Sequence, residues 1–174
     1  MSFVISLQKF TIMKTIEIGA KIQICSHIEL TDEQKSVVEA AKKATSGSYS
    51  PYSHFKVGAA VLLANGEIIA GSNQENAAYP SGLCAERTAI FYAGARFPDV
   101  PIRKLAIISR SGEEFGREIC SPCGACRQVI CESEARAGAP IEILLCSANE
   151  VYIFIGIEGL LPFGFSGKDL GIGN

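Results

Sequence analysis

The sequence of 174 residues has no run of 18 uncharged apolar residues and no excess of charge of one sign. Without such an apolar run, no membrane-spanning helix is predicted. Lysine and arginine number 16 and aspartate and glutamate 18, so the chain lacks the electrostatic footprint of a non-specific nucleic-acid binder. Because 48% of the residues are apolar and 20% are charged, a disordered or low-complexity chain is excluded.

The first ten residues lack a basic start, a clean apolar core and a small-residue cleavage site, so no signal peptide is predicted. Without export, the seven cysteines are expected in a reducing cytoplasm. The number of cysteines is odd and several cluster between Cys120 and Cys131, which favours metal binding over disulfides.

Repeats, charge runs and Pro/Ser-rich linkers are also missing, so the sequence gives no sign of a second large domain. Residues 1–28 are interpreted as an N-terminal extension, in which the alternation of apolar and polar residues over Ile16–Ile24 predicts a half-buried strand. Residues 29–174 are interpreted as the main domain.

Periodicity and turn signals in the main domain predict three helices and five strands. The helices are Thr31–Thr45, Cys84–Ala95 and Pro122–Ala137, and the strands are Phe55–Ala64, Glu67–Ser72, Lys104–Ser109, Ile141–Ser147 and Val151–Ile157. Strand–helix–strand units require crossovers and therefore some parallel pairing. The predicted fold is an α/β, three-layer α/β/α sandwich around a five-stranded mixed sheet.

Three cysteines stand at predicted helix starts: Cys84, Cys123 and Cys126. A helix N-terminus favours thiolates, which are ligands that zinc prefers. The C-x-x-C pair alone is equally compatible with a redox pair or two ordinary buried cysteines. With Cys84 as a third ligand, zinc would keep an open position for water, which is the catalytic and not the closed structural arrangement. We expect one Zn²⁺ per chain.

Two charged residues follow Cys84. Glu86 is either an acid favoured by the helix dipole or a proton shuttle beside zinc. The combination Cys84-Ala85-Glu86 with Pro122-Cys123-Gly124-Ala125-Cys126 matches the pattern of zinc deaminases, in which the glutamate is not a ligand. Arg87 is either a surface arginine or a donor of hydrogen bonds to the ligand thiolates, which would offset their negative charge.

From about Leu30 to Leu170 the chain resembles the small homotetrameric cytidine deaminases. The motifs that carry the resemblance are Pro51–Phe55, Val57–Val61, Asn73–Pro80, Cys84–Ala89, Ser121–Gln128 and Leu160–Pro162. The resemblance implies zinc-dependent hydrolysis of cytidine and deoxycytidine to uridine, deoxyuridine and ammonia by a catalytic domain over residues 29–174. It also implies a nucleoside substrate, no nucleic-acid or membrane partner, and a homotetramer with sites shared between subunits.

The resemblance further implies substrate-binding roles for Phe55, Asn73, Gln74, Glu75, Asn76, Ala77, Ala78, Tyr79 and Ala85, and for Phe165 of a neighbouring subunit. Phe55 and Phe165 would pack on the pyrimidine, and Asn73 and Glu75 would bind ribose hydroxyls. The structural alternatives are a strand core residue for Phe55, a turn residue for Asn73 and a solvated acid for Glu75. His27 and His54 match no ligand spacing, and we interpret Cys25, Cys120, Cys131 and Cys146 as small buried hydrophobic residues.

Three alternatives stay open at this point. One is a blasticidin-type or nucleotide deaminase, against which the Asn73-x-Glu75-Asn76 segment and the lack of a basic cluster argue. The second is a structural zinc-binding interaction module, which would need a fourth ligand such as Cys120 or Cys131. The third is a redox protein that uses the C-x-x-C pair.

Overall fold

The computed structural model describes residues 13–171, and seven strands in this part of the chain form one mixed sheet. The strands are β1 (Gln23–Ser26), β2 (Phe55–Leu63), β3 (Ile68–Ser72), β4 (Ile102–Ser111), β5 (Glu114–Phe115), β6 (Glu142–Cys146) and β7 (Glu150–Ile155). Their spatial order is β1-β7-β6-β4-β2-β3, and β5 pairs with β4. Only the β4–β6 pair is parallel among these strands, so the connection between them must cross over the sheet.

Three α-helices cover the two faces of the sheet: α1 (Asp32–Ala44), α2 (Ala85–Arg96) and α3 (Gly124–Ala137). Helix α1 packs Val37, Val38 and Ala41 against one face. Helices α2 and α3 pack residues such as Ala89 and Ile130 against the other face. Consecutive strand residues alternate between the two cores, which confirms the predicted three-layer α/β/α architecture.

The start of α1 follows from its sequence. The Thr31 hydroxyl accepts a hydrogen bond from the Gln34 backbone N–H at 3.3 Å, and the Gln34 side chain accepts one from the Thr31 N–H at 2.9 Å. This reciprocal capping box satisfies two backbone donors that the first turn leaves free. The three helices and five strands predicted for the main domain are all present, and none of their bounds differs from the predicted one by more than two residues.

The predicted number of five strands was wrong, because β1 and β5 also join the sheet. Strand β5 is a two-residue hairpin partner of β4, too short for an alternation pattern to reveal it. Strand β1 extends the sheet at the β7 edge, where Gln23 pairs with Ile153 and Ser26 with Glu150.

The strand predicted over Ile16–Ile24 was also wrong in its extent. Only Gln23–Ser26 is a strand, since its pairing with β7 covers these four residues and stops opposite Ile153, two residues before β7 ends. Ile16 and Ile18 are consequently exposed, as is Ile24 in the strand itself. An alternating pattern thus predicted a buried face that the sheet does not provide at this edge. Residues 1–12 of the predicted extension lie outside the described residues.

The interpretation of four cysteines as buried residues holds only for Cys146. Cys25, Cys120 and Cys131 are partly exposed, because they pack at the margins of the two cores and not within them. Between residues 13 and 171, no helix is both long enough and apolar enough to cross a membrane.

Candidate metal centre and active site

The sulfur atoms of Cys84, Cys123 and Cys126 lie within 4.8 Å of one another. The Sγ of Cys84 is 3.7 Å from that of Cys123, which is 3.5 Å from the Sγ of Cys126. Cys84 is the N-cap residue of α2, Cys123 is the N-cap residue of α3, and Cys126 lies in the first turn of α3. The fold therefore brings two helix N-termini, and with them the three predicted ligands, to one point.

The donor set fits zinc. Hydrogen bonds from Cys126, Arg87 and Cys123 lower the pKa of Cys84 to about 5, although burial opposes the shift. The hydrogen bond to Cys84 raises the pKa of the Cys126 thiol, and burial adds to the shift. Three cysteine sulfurs form a soft donor set that binds Zn²⁺ as thiolates, and metal binding would release the protons that the thiols carry.

Among residues 13–171 no further His, Cys, Asp or Glu side chain joins this cluster. In particular, neither Cys120 nor Cys131 completes a set of four. Three protein ligands leave one tetrahedral position for water or substrate, as in catalytic zinc sites.

Glu86 lies in the first turn of α2, and only 4% of it is exposed. Burial raises the pKa of its carboxyl group above the ordinary value, and the negative charge of Cys84 adds to the shift. A carboxylate that holds its proton more tightly than a surface glutamate is suited to exchange protons with a reacting group. Glu86 is not one of the three clustered ligands, but it lies near enough to Cys84 for the charge of that sulfur to affect its pKa.

Arg87 directs its guanidinium group at the cluster, where Nη2 donates a hydrogen bond of 3.6 Å to the Cys84 Sγ. The hydrogen bond to Cys84 raises the pKa of Arg87, although partial burial opposes the shift. Its Nε is buried and has no hydrogen-bond partner within the described residues. This contact favours the interpretation of Arg87 as a partner of the thiolates over that of a surface arginine.

A close approach between β3 and α2 sets the position of Cys84 and Glu86. A Cβ atom at Gly71 would lie 2.6 Å from the Ala89 backbone N and 2.9 Å from the Ala85 carbonyl O. Only glycine allows the strand and the first turns of the helix to come this near. Ala85 is completely buried in this contact region, between the two residues predicted to bind metal and move protons.

The segment after β3 connects this helix start to the start of β2. The Asn73 Oδ1 accepts hydrogen bonds from the Val57 N–H at 2.8 Å and the Ser48 hydroxyl at 2.6 Å, and its Nδ2 donates to the Phe55 carbonyl at 2.9 Å. The backbone of Gln74 forms two hydrogen bonds with that of Leu83, the residue before Cys84. The predicted substrate-binding segment is thus attached to the metal centre through its backbone.

Glu75 holds the turn that precedes β2. Its carboxylate accepts hydrogen bonds from the backbone N–H of Tyr52 at 3.0 Å, from the backbone N–H of Ser53 at 3.3 Å and from the Ser53 hydroxyl. These bonds, the Ser53 hydroxyl first, lower the pKa of Glu75. At the end of the turn His54 adopts a left-handed conformation with φ of 56°, and Phe55 after it is 45% exposed.

The remaining residues that are predicted to bind substrate lie at the surface. Asn76, Ala77, Ala78 and Tyr79 are all exposed, and the Asn76 side chain accepts a hydrogen bond from the Ala78 N–H at 2.8 Å. The Tyr79 ring lies 6.1 Å from that of Tyr52, between ring centres. Phe165 lies in the C-terminal tail and is 58% exposed, so its ring does not fill the core of its own chain.

Sequence reasoning missed the two serines that hold this loop. Ser48 and Ser53 are 25 and 22 residues away from their partners Asn73 and Glu75, and no local pattern relates them. The pairing of β2 with β3, together with backbone hydrogen bonds from Tyr49 to Asn73 and from Glu75 to Tyr49, brings these segments together.

Comparisons with known proteins agree with this geometry. Residues 31–138 match the family described as cytidine and deoxycytidylate deaminase zinc-binding region. A cytidine deaminase of Halalkalibacterium halodurans is 36% identical over 140 residues, covering 79% of this chain and 98% of the relative. A cytidine deaminase of Sporosarcina psychrophila is 39% identical over 142 residues, covering 80% and 95% of the two chains.

A solved structure gives the same answer. The crystal structure of cytidine deaminase from Burkholderia pseudomallei superposes with a TM-score of 0.64 at 36% sequence identity, covering 78% of this chain and 100% of the other. The family match over residues 31–138 contains the three cysteines and Glu86. The chain therefore belongs to the zinc-dependent cytidine and deoxycytidylate deaminase family.

Proposed function

We propose that this protein hydrolyses the 4-amino group of cytidine and deoxycytidine to give uridine or deoxyuridine and ammonia. The observation that carries the proposal is the meeting of three cysteine sulfurs with a buried glutamate at two helix N-termini. The named relatives supply the substrate class, since they are cytidine deaminases that align over nearly their whole length.

In this proposal Cys84, Cys123 and Cys126 hold one Zn²⁺. Zinc, when bound, supplies an activated water near neutral pH as the nucleophile for C4 of the pyrimidine. Arg87 donates its hydrogen bond to the Cys84 thiolate and draws negative charge away from the ligand set. Without that donor, three thiolates around a dication would leave a net charge of −1 and reduce the acidity of the water.

Glu86 moves the protons. It takes one proton from the attacking water and delivers it to N3 of the ring, which makes C4 more electrophilic. It then takes the second proton of the added water from the hydroxyl on C4 and passes it to the amine, so that the C4 carbonyl forms, the C4–N bond breaks and ammonia departs. The buried position of Glu86 supports this role, because a raised pKa brings the carboxyl group nearer to the working pH.

The loop composed of Asn73–Tyr79 and the start of β2 would hold the nucleoside. Phe55 would pack on the pyrimidine, and Asn73 and Glu75 would face ribose hydroxyls, with Gln74, Asn76, Ala77, Ala78, Tyr79 and Ala85 completing the site. The carboxylate of Glu75 favours a neutral sugar and would repel a 5′-phosphate. Its lowered pKa supports a charged state at neutral pH.

We further propose a homotetramer in which Phe165 enters the site of a neighbouring subunit. Its exposure supports this assignment, as does the exposure of Phe91 and Tyr92 on α2. We also propose residues 29–174 as the catalytic domain and residues 1–28 as an extension outside it, since the family match begins at residue 31. Seven unpaired cysteines support a cytoplasmic location.

The test is the substitution Glu86→Gln, which keeps the size of the side chain and removes its ability to exchange protons. We expect unchanged zinc content and thermal midpoint, and a fall in kcat for cytidine of at least about 100-fold. Glu67→Gln, an exposed acid in a turn, serves as the control and should leave kcat unchanged. A loss of less than tenfold in Glu86→Gln would remove Glu86 from the mechanism.

A mixing experiment tests the shared site. Subunits with Glu86→Gln retain Phe165, and subunits with Phe165→Ala retain Glu86. If sites are shared, refolded mixtures should gain activity above both parents at subsaturating cytidine. No gain, with mixing verified by native mass spectrometry, would assign Phe165 to its own subunit or to no site.

Two measurements separate the proposal from its competitors. Parallel assays with cytidine, blasticidin and cytidine monophosphate distinguish a nucleoside deaminase from the other deaminase types. Binding of a zinc-directed hydrated-pyrimidine inhibitor to the zinc-loaded protein distinguishes an enzyme from a structural zinc module, which has no open position on the metal.

A further inference from the structure

The start of helix α3 carries Cys123 and Cys126 of the candidate zinc site. The residues that follow them in the helix also hold the C-terminal tail. Arg127 donates from Nη1 to the Leu160 carbonyl at 2.8 Å and from Nε to the Pro122 carbonyl at 2.9 Å. Gln128 donates from Nε2 to the Phe165 carbonyl at 2.6 Å and accepts at Oε1 from the Phe165 N–H at 3.2 Å. One side-chain amide thus pairs with both main-chain polar groups of a single tail residue.

The tail lies tightly on the helix beside this contact. A Cβ atom at Gly164 would lie 2.8 Å from the Cys131 Sγ and 3.1 Å from the Leu161 Cδ2. A larger residue at position 164 would require the Cys131 and Leu161 side chains to move, so the tail packs closely against them immediately before Phe165. Directly afterwards, the Ser166 N–H donates to the Asp169 carboxylate at 2.7 Å and begins a short 3₁₀ helix. The backbone of Phe165 is therefore fixed by Gln128 and by close contacts on either side.

The ring of the same residue is mainly in solvent. Phe165 is 58% exposed although both of its main-chain polar groups are paired within the chain. A fixed backbone with an unpacked aromatic ring adds little to the stability of its own domain. It is suited to hold the ring ready for an external partner, because the entropy cost of ordering the segment has been met before binding.

We propose that Gln128 is a positioning residue of the substrate site, acting through Phe165. This inference rests on the proposed function, in which the Phe165 ring packs on the pyrimidine in a neighbouring subunit. Gln128 stands two residues after Cys126. The first turn of α3 thus contributes to one site of the assembly, and its next turn holds the ring that completes another.

The test is the substitution Gln128→Met, which keeps the length of the side chain and removes both hydrogen bonds to Phe165. The KM for cytidine should rise roughly 3- to 10-fold, within the range expected for losing an offset aromatic stack. Zinc content and kcat should stay within about twofold, since no group that holds metal or moves protons changes. Glu132→Met, at an exposed position of the same helix, is the matched control and should leave KM unchanged.

A double-mutant cycle separates positioning from general stabilisation. Phe165→Ala removes the ring but keeps the backbone that Gln128 holds, so adding Gln128→Met should raise KM no further. Independent, multiplicative effects in the cycle would overturn the proposal. So would a Gln128→Met protein in which zinc content and thermal midpoint fall together with kcat, because that result assigns Gln128 to the integrity of α3.

Hydrogen–deuterium exchange gives a readout besides activity. The peptide that covers residues 163–166 should exchange faster in Gln128→Met than in the parent or in Glu132→Met. Unchanged exchange would contradict the proposal directly. If the parent protein turns over cytidine but Gln128→Met has the parental KM, the inference about Gln128 fails alone. If the zinc-loaded parent does not turn over cytidine at all, the proposed function fails first.

Discussion

The contact between Gly71 and α2 allows a sharp prediction, because a single methyl group there should displace the start of the helix. In Gly71→Ala the new Cβ would lie 2.6 Å from the Ala89 N and 2.9 Å from the Ala85 O. Restoring an ordinary separation of about 3.5 Å requires a shift of roughly 0.6–0.9 Å. Both obstacles are backbone atoms, so no side-chain rotation can relieve the contact.

The shift should affect both stability and catalysis. Overpacking of this kind costs about 1–3 kcal/mol, which corresponds to a fall of roughly 2–12 °C in the thermal midpoint for a chain of this size. Since the displaced turn carries Cys84 and Glu86, kcat for cytidine should fall by about 10- to 100-fold.

Gly94→Ala provides the matched control on the same helix, because the nearest atom to its new Cβ would be the Arg136 Nη1 at 3.8 Å. It should stabilise the protein by about 0.5–1 kcal/mol, since alanine is the better helix former, and leave kcat unchanged. Thermal unfolding and steady-state kinetics measure both variants. A Gly71→Ala protein with the parental midpoint and kcat would refute the argument that the β3–α2 distance sets the geometry of the site.

Three further predictions follow from other contacts. Arg87→Met removes the donor to the Cys84 sulfur, so zinc affinity in chelator competition should fall about 10- to 100-fold; an unchanged affinity would contradict the role. Lys104 is 11% exposed and forms ion pairs with both Glu33 and Glu142, so Lys104→Met should lower the free energy of unfolding in urea by about 1.5–3 kcal/mol. The control is Lys42→Met, which removes an ion pair with an exposed glutamate and should lower it by less than about 1 kcal/mol. Despite burial, the hydrogen bonds of Lys104 to Glu142 and Glu33 raise its pKa above the ordinary 10.5. The stabilisation by Lys104 should therefore be complete below pH 10.5 and disappear as the pH rises through the pKa of Lys104 in the folded protein. Equal losses of stability in Lys104→Met and Lys42→Met would contradict this role of Lys104. Deleting residues 1–26 removes β1 and opens the β7 edge, so the thermal midpoint should fall and aggregation rise while kcat for cytidine is retained; an unchanged midpoint would show that the added strand does not stabilise the sheet.

The metal centre was predictable from the sequence because its signals are local. The C-x-x-C pair and Glu86 occupy helix starts, and helix starts have recognisable residues and spacings. The capping box at Thr31 was predictable for the same reason, since its two partners are three residues apart. These local signals do not show that the starts of α2 and α3 lie together, and the match to the zinc-deaminase pattern predicted this.

The N-terminal strand shows where such reasoning fails. The alternation over Ile16–Ile24 describes which side chains could share a face, but it does not tell how many of these residues pair with a neighbouring strand. The pairing of β1 with β7 stops at Gln23 and Ile153 although β7 continues to Ile155, and the isoleucines before Gln23 stay exposed. Edge strands carry little sequence information about their extent because one side of their backbone has no partner.

The loop of Asn73–Tyr79, proposed to hold the nucleoside, was only partly predictable from the sequence. The segment beginning at Asn73 was identified by resemblance, but the bonds that hold it come from Ser48 and Ser53, far away in sequence. The pairing of Gln128 with Phe165 likewise joins positions 37 residues apart. Long-range side-chain-to-backbone bonds have no period and no motif, and they become visible only once the sheet has fixed the elements.

Metal analysis and cytidine turnover on the same sample test the central claim most directly. The protein is loaded with zinc, the metal is counted per chain, and the loss of cytidine is followed by ultraviolet absorbance with product analysis. The account predicts one zinc per chain, formation of uridine and ammonia in equal amounts, and loss of both metal and turnover in Cys84→Ala. A fully zinc-loaded protein that leaves cytidine unchanged, or a Cys84→Ala protein that keeps its zinc and its activity, would contradict it.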